Sequence, residues 1–522
     1  MTVSSNLITE PWIPCLRQDG RLVSLGLRGV LLQAHELAEV HGESPLVTAA
    51  LYRLLLALLH RVYGPEDMEA WEALWRAGRW EAQALDAYLE AWRDRFDLFH
   101  AQHPFLQRPD ARVRAKSVAS LLTHVASGNN PTLFSHHLEA DALALTPGEA
   151  ARALVTGLSF GLAGLSGIQQ KFTDGACARG VLFFAAGDTL FETLALNLVQ
   201  YPWSGEAGLD AGDRPAWEVD DPASPGRDRP LGYLDLLTWP NRHILLYPEE
   251  GPGGLMVRSM TMAPALRLDA AITDPMKYYR LDARRGPLVL RYREDRALWR
   301  DSAVLLRLGD DGTRPSRVLE WLANLVEEGI LSPAERRRYL ALGMANNQAK
   351  VEFYRQETLP LPLDYLARQE LVEIVEESLA LAEGVSAALG RAARALARFV
   401  LAPGADLGNG HDPKREDIDA LCGQWAITRG YWSRLELPFR QLLEALPGDP
   451  DAHRIAWRQT LRELAWEAFD GVAAPLEATP RQMKAVVRGR EALARGIGEA
   501  LGSLTDAAMA PPHDMPEERR SG

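Results

Sequence analysis

Four stretches near the C-terminus constrain this chain more than any other feature. They are LVEIVEESLALAEGVSAALGRAARALARFVLA (371–402), WSRLELPFRQLLEAL (432–446), HRIAWRQTLRELAWEAFDGVA (453–473) and PRQMKAVVRGREALARGIGEALGSL (480–504), each with apolar residues at helical spacing. An apolar stripe must be buried against a neighbour, and Gly, Pro and Asp between the stretches permit tight reversals. An antiparallel four-helix bundle over 366–507 is expected, followed by a polar, Pro-rich, disordered tail over 508–522.

Residues 1–365 have a different texture and predict a mixed α/β domain. To about Val30 the pattern is short strands and turns, with Asp19-Gly20 as a hairpin signal. Ser44-Pro45 opens a buried helix, LVTAALYRLLLALLHRVYG, which Gly64-Pro65 closes; Arg53, His60 and Arg61 break it too often for a bilayer span. The stripe Trp71, Trp75, Trp80, Tyr88, Trp92 reads as core packing. Residues 127–140 read as a loop, 181–186 as a buried strand, 190–200 as a helix and 202–230 as a long surface loop. Strand-like runs resume at 243–247, 255–262 and 287–293. The fold class is α+β: a large mixed N-terminal domain with small sheets and helices, plus the C-terminal four-helix bundle.

Charge limits the function. Across 522 residues, Lys+Arg minus Asp+Glu is 57 − 70 = −13. A chain this acidic does not coat nucleic acid by net charge, so a nucleic-acid role requires local basic patches or a carrier complex. Cys15, Cys177 and Cys422 are scattered and form neither a disulfide framework nor a CxxC zinc site, which points to the reducing cytoplasm. The first residues, MTVSSNLITEPWIP, lack the basic start and apolar core expected of a signal peptide. Gly157-Leu158-Ser159-Phe160-Gly161 matches GxSxG, but an Ala-rich helical run precedes it where a nucleophile elbow needs a strand. His136 and His137 are adjacent and do not converge as an i,i+4 metal pair does. No HExxH or P-loop is present, so neither metal nor cofactor is expected, and the chain reads as non-enzymatic.

Three places suit binding, and each has a plainer structural reading. Gly157, Gly161, Gly164 and Gly167, followed by Gln169, Gln170 and Lys171, let a backbone approach a DNA groove closely, or pack a helix or turn. Ala345-Asn346-Asn347-Gln348-Ala349-Lys350 suits a hairpin tip whose amides pair with base edges or fill an opened base pair, or else is an exposed polar turn. Arg391, Arg394 and Arg398, then Arg454, Arg458 and Arg462, then Lys484, Arg488 and Arg495 form stripes that track phosphates, or are solvated helix faces. Arg284-Arg285 and Arg291/Arg293 carry the same two readings.

In order, the chain shows Asn6-Leu7, Pro11-Trp12-Ile13-Pro14, His103-Pro104-Phe105-Leu106-Gln107, a loop with Phe134, the glycine region, Trp239-Pro240 with His243, Asn346-Asn347-Gln348-Ala349 and the helical C-terminus. This series resembles the CasA family, the large subunit of the type I-E CRISPR surveillance complex, Cascade. The resemblance implies a non-catalytic subunit beside the 5′ handle of the CRISPR RNA. Such a subunit reads the protospacer-adjacent motif (PAM) of double-stranded DNA from the minor groove, opens the duplex, holds the displaced strand and recruits a helicase–nuclease. The implied partners are the backbone, handle-binding and small Cascade subunits, with no membrane. By this resemblance Phe134 anchors the subunit near the RNA handle, Gly164, Gly167, Gln169 and Arg267 meet the PAM, and Asn347 and Gln348 form the wedge. Arg391, Arg394, Arg398, Arg458, Arg462, Lys484 and Arg488 are candidates for the displaced strand. The competing readings are a scaffold that bridges proteins without touching DNA and a hydrolase built on Ser159.

Overall fold

The computed structural model describes residues 4–122, 143–164, 167–200, 212–251, 254–309, 312–347, 350–402, 412–476 and 479–502. The expected loop of 127–140 and the expected tail of 508–522 lie outside the described residues. In chain order the elements are β1 (Ile13–Arg17), β2 (Leu22–Leu25), α1 (Leu27–Leu32), β3 (Leu37–Val40), α2 (Pro45–Tyr63), α3 (Met68–Ala77), α4 (Ala82–Ala91), β4 (Lys116–Ser117), α5 (Pro147–Phe160), β5 (Val181–Ala186), α6 (Leu190–Leu196), α7 (Tyr233–Leu237), β6 (Arg242–Gly251) and β7 (Gly254–Pro264). There follow β8 (Tyr279–Asp282), β9 (Gly286–Val289), α8 (Ser302–Leu306), β10 (Thr313–Arg314), α9 (Arg317–Glu327), β11 (Arg336–Asn347), β12 (Lys350–Pro362) and α10 (Asp364–Ala367). The last five helices are α11 (Glu370–Leu401), α12 (Arg415–Trp425), α13 (Ile427–Ala445), α14 (Pro450–Ala473) and α15 (Pro480–Leu501). Two compact units result, Met1–Leu298 with Leu305–Ala367, and Trp299–Val304 with Arg368–Gly522.

The core of the first unit is α2. Ser44 caps it by accepting from the Val47 N–H, Pro45 supplies a preset first turn, and Gly64 ends it. Its length and composition would suit a membrane span, yet fourteen of its nineteen residues are buried inside the unit. One of them, Arg53, is 1% exposed and lies 2.8 Å from the Asp274 carboxylate, so the buried charge is matched. Helix α5 starts with a capping box, in which Thr146 and Glu149 each accept from the other's backbone N–H.

Around these helices stand four three-stranded sheets, ordered β2-β1-β3, β10-β8-β9, β12-β11-β5 and β4-β7-β6. Every residue of β5 is buried, because both of its faces are covered. Phe184 packs 5.4 Å from Tyr52 of α2, while its neighbour Phe183 meets Tyr278 and Tyr339.

In the second unit α11 carries a buried column that includes Leu371, Val375, Ala382, Leu389, Ala392 and Leu396. Helix α15 packs closely along it, and a Cβ on Gly496 would lie 2.6 Å from that of Ala388. Trp299 is buried against Phe439 and Trp432, and Arg300 stacks 3.7 Å over Trp432 while pairing with Glu383. Four long helices are therefore present, together with the shorter α12, which a left-handed Ala426 separates from α13.

Several local readings are corrected. The segment before Val30 holds a helical turn, α1, as well as strands. The run 287–293 is extended only as far as Val289, because Tyr292 turns inward to donate to the Ala341 carbonyl at 2.7 Å. Within the supposed surface loop of 202–230, Ala216–Glu218 form a buried turn and Trp217 is 3% exposed. Pro, Gly and Asp mark the end of periodic structure there, not exposure.

Candidate nucleic-acid interface

Strands β11 and β12 form one long hairpin, paired from Arg336↔Pro362 to Asn347↔Lys350, with a register shift between Ala345 and Asn346. Among the described residues its base alone has a third strand, since β5 pairs with Arg338 through Gly343. Beyond Gly343 the ribbon continues for four residues to Asn347, a reach of about 13 Å at 3.3 Å per residue. Exposure follows this geometry, because Tyr339–Met344 are buried whereas Asn347, Lys350 and Glu352 are exposed. Gln348, the second wedge candidate, lies outside the described residues, as does the anchor candidate Phe134. Where the ribbon leaves the sheet, Arg355 lies over Tyr292 and Phe353 and pairs with Glu357 at 3.2 Å. A side chain at Gly343 would meet the Gly180 carbonyl at 2.9 Å, so glycine is needed where the ribbon separates from β5.

The glycine-rich stretch divides by environment. Gly157 packs within α5, where a Cβ would touch Leu121 at 3.3 Å, and Gly161 ends that helix against Arg242. Gly164 and Gly167 face open space, and Gly167 has the left-handed φ of +75°. Gly164 and Phe172 form an isolated antiparallel bridge that closes the loop between them. Gln169 and Lys171 are exposed on it. Gln170 is the anchor, donating to the Ala265 carbonyl at 2.7 Å and accepting from Arg112, which also reaches the Pro264 carbonyl. Two residues beyond Ala265 comes Arg267, exposed and without an ion-pair partner among the described residues. Gly164, Gly167, Gln169 and Arg267 therefore belong to one locality, and the loop leads through 173–180 into β5, beside the hairpin base.

Arg242 organises this loop and was not singled out by the sequence. It is 4% exposed, donates to the Leu162 and Thr173 carbonyls at 2.7 and 3.2 Å, and lies over the Phe172 ring. Both arms of the loop are thereby held by one guanidinium, whose pKa burial lowers to about 10. The only sequence signal was an arginine beside Trp239-Pro240, at the start of an apolar strand.

The helical stripes are mostly neutralised locally. Arg391 pairs with Glu499, Arg394 with Asp419, Arg398 with Asp412, Arg454 and Arg458 with Glu377, and Arg488 with Glu491. Arg462 and Lys484 have no such partner among the described residues. Ser159 sits inside α5 and donates to the Val155 carbonyl, so no nucleophile elbow forms. Cys15 and Cys177 are buried thiols whose pKa burial raises, the former to about 12. No three His, Cys, Asp or Glu residues converge on a metal position among the described residues.

Comparison with known proteins covers nearly the whole chain. The family model of CRISPR-associated protein Cse1 matches residues 6–468. A CRISPR-associated protein CasA/Cse1 of Thermus thermophilus is 37% identical over 511 residues, 95% of this chain and 97% of that one. A crystal structure of Thermus thermophilus CasA aligns with a TM-score of 0.77 at 32% identity, covering 95% of this chain and 100% of that one. A chain of a solved CRISPR RNA-guided surveillance complex aligns with a TM-score of 0.73 at 25% identity, over 94% of this chain and 99% of that one.

Proposed function

The chain belongs to the CRISPR-associated Cse1 (CasA) family, a subunit of a CRISPR surveillance complex, and from that premise we propose that it recognises the PAM and starts duplex opening without bond chemistry. The observation that carries this reading is the joining of the loop that bears Gly164, Gly167 and Gln169 to Arg267 through the Gln170–Ala265 hydrogen bond. Open Cβ positions at Gly164 and Gly167 leave room for a groove wall, Gln169 offers amide hydrogen bonds to base edges, and Arg267 offers a charge to phosphate. Minor-groove patterns distinguish A·T from G·C and little else, so the preference is for a tolerant motif. The ribbon ending at Asn347 acts as the wedge together with Gln348. Unstacking a base step costs a few kcal/mol, which an inserted group offsets, and RNA–DNA pairing then replaces DNA pairing near balance.

In this role the chain sits in the cytoplasmic Cascade assembly with the CRISPR RNA and the other subunits. It holds the displaced strand and presents the opened target to the helicase–nuclease. The test uses the assembled complex and gel shifts on matched targets. Asn347→Ala with Gln348→Ala is expected to weaken binding to a closed PAM-bearing duplex by tenfold or more, a loss of about 1.4 kcal/mol. Binding to a target already opened as a bubble is expected to stay within twofold, a change of about 0.4 kcal/mol. Equal losses on both targets would count against the wedge. The locally paired arginines of α11 and α14 favour a second reading, a protein-bridging scaffold. That reading requires a PAM-mutant duplex to bind equally with and without this subunit.

A further inference from the structure

Two motifs, His103-Pro104-Phe105-Leu106-Gln107 and Trp239-Pro240-Asn241-Arg242-His243, of which the DNA reading uses Arg242 alone, meet in space. Leu106 takes the left-handed φ of +52°, which is costly for leucine, and doubles the chain back. The Gln107 side chain then donates to the Leu98 carbonyl and accepts from the Leu246 N–H, while the Arg108 N–H reaches the Ile244 carbonyl. Between the motifs and the turn around Trp217 lies a small cleft that opens to solvent.

Its lining includes three arginines, Arg95, Arg108 and Arg242, beside the imidazoles of His103 and His243. Among the described residues Arg108 and Arg242 form no ion pair, and their buried Nε and Nη1 atoms, respectively, have no hydrogen-bond partner. Among the described residues the Arg108 guanidinium donates to the Val219 carbonyl and Arg242 to the two loop carbonyls, while Asp221 and Asp174 act on them from beyond ion-pair distance. The buried His103 Nδ1 and His243 Nε2 are likewise without partners. His243 turns its other nitrogen to Asp110, a carboxylate already engaged by Arg112, and Asp220 is taken up by Arg95. Guanidiniums left without contacting counter-charges in a partly dry cleft are costly unless an anion completes them.

We propose that this cleft is a receptor for a single phosphate group, held chiefly by Arg108 and Arg242 and completed by the two imidazoles, with Arg95, paired to Asp220, at its rim. A phosphate offers several acceptor oxygens to the planar fork of an arginine, and burial strengthens each charge-assisted bond. Carboxylates bind arginine too, but one tetrahedral group with three or four acceptors fits donors that come from separate segments. Arg242 is also the staple of the glycine loop, so filling the cleft fixes that loop. The inference is independent of the duplex-opening reading, because free phosphate alone tests it.

The experiment titrates the full chain with inorganic phosphate, sulfate or chloride at constant ionic strength, following thermal unfolding and the 31P line width. A saturable rise in Tm is expected with phosphate and sulfate and not with chloride. Arg108→Met should raise the phosphate Kd about tenfold or more, and Arg95→Met, on the accessible rim, should raise it in the same direction. Circular dichroism at 20 °C checks that each variant is folded. A parallel arm compares 5′-phosphorylated dithymidine with its unphosphorylated form. Tighter binding of the phosphorylated dinucleotide than of free phosphate assigns the site to a nucleic-acid phosphate, and the reverse assigns it to the free ion; both retain the site. No saturable effect in the wild type, or identical titrations for wild type, Arg108→Met and Arg95→Met, overturns it.

Discussion

At the scale of single residues, the four glycines that look alike in the sequence have different tasks. A Cβ at Gly161 would lie 2.4 Å from the Arg242 guanidinium carbon, so Gly161→Ala must displace the side chain that holds both arms of the loop. A loss of about 1–3 kcal/mol in stability is expected, as for other overpacked sites, and protease cutting within the loop should accelerate. A Cβ at Gly164 would meet no described residue within 4 Å, so Gly164→Ala should leave stability within about 0.5 kcal/mol. If the backbone there approaches a groove, the same methyl should nonetheless weaken duplex binding. Unchanged gel shifts would show that the close approach is not used. The sequence made the cluster visible, but spacing cannot separate a glycine required by an internal neighbour from one left open at a surface. Arg242 was illegible for a related reason: a buried arginine is identified by the carbonyls it reaches, and those lie about 70 and 80 positions away.

Among elements, the long helices were legible because 3.6-residue periodicity and caps such as Ser44-Pro45 and Thr479-Pro480 are written locally. The β11–β12 ribbon was legible only at its tip. Its strands mix Arg, Glu and Gln with apolar residues, since beyond Gly343 no third strand covers them, so neither period stands out. That geometry makes the ribbon separable from the fold. Replacing 346–352 by an Asn-Gly turn that joins the paired residues Ala345 and Phe353 should leave unfolding of the first unit nearly unchanged, because the base stays paired with β5. Opening of a PAM-bearing duplex by the assembled complex, read by 2-aminopurine fluorescence next to the PAM, should be lost.

Helix α2 carries a different consequence. His60 is 7% exposed, neither ring nitrogen has a partner, and burial against Tyr233 lowers its pKa to about 3. The folded imidazole therefore stays neutral where an unfolded one, near 6.5, takes a proton. Stability from this group is fully present above pH 6.5 and declines as pH falls toward 3, by at most about 1.4 kcal/mol per unit. Between pH 7 and 5 the wild type should lose up to about 2 kcal/mol more than His60→Phe in urea unfolding. Parallel losses in the two proteins would mean that His60 is protonated in the fold.

For the whole molecule, charge decides which surface meets nucleic acid. With a formal charge of −13 the chain repels a polyanion at long range, so phosphate contacts must come from cations that are not already neutralised. In the helical unit the residues expected to track the displaced strand fall into two groups. Arg394 and Arg398 face Asp419 and Asp412 at 3.1 and 2.8 Å, whereas Arg462 and Lys484 have no such neighbour among the described residues. A phosphate meeting Arg398 must displace Asp412 and gains little net charge neutralisation, because surface pairs of this kind are worth about 0–1 kcal/mol. A phosphate meeting Lys484 displaces only water and counterions. The plot of log K against log salt separates the two groups, since each phosphate contact contributes about 0.9 to the slope on duplex and about 0.7 on a single strand. Arg462→Gln with Lys484→Gln should lower the slope for R-loop binding by the assembled complex by about one to two units. Arg394→Gln with Arg398→Gln should lower it by about half a unit or less. Equal reductions would mean that the acidic partners swing away when DNA arrives, making the two pairs latches that open on binding; no reduction in either would remove the displaced strand from these helices and leave the glycine loop and the ribbon as the only DNA-facing parts proposed.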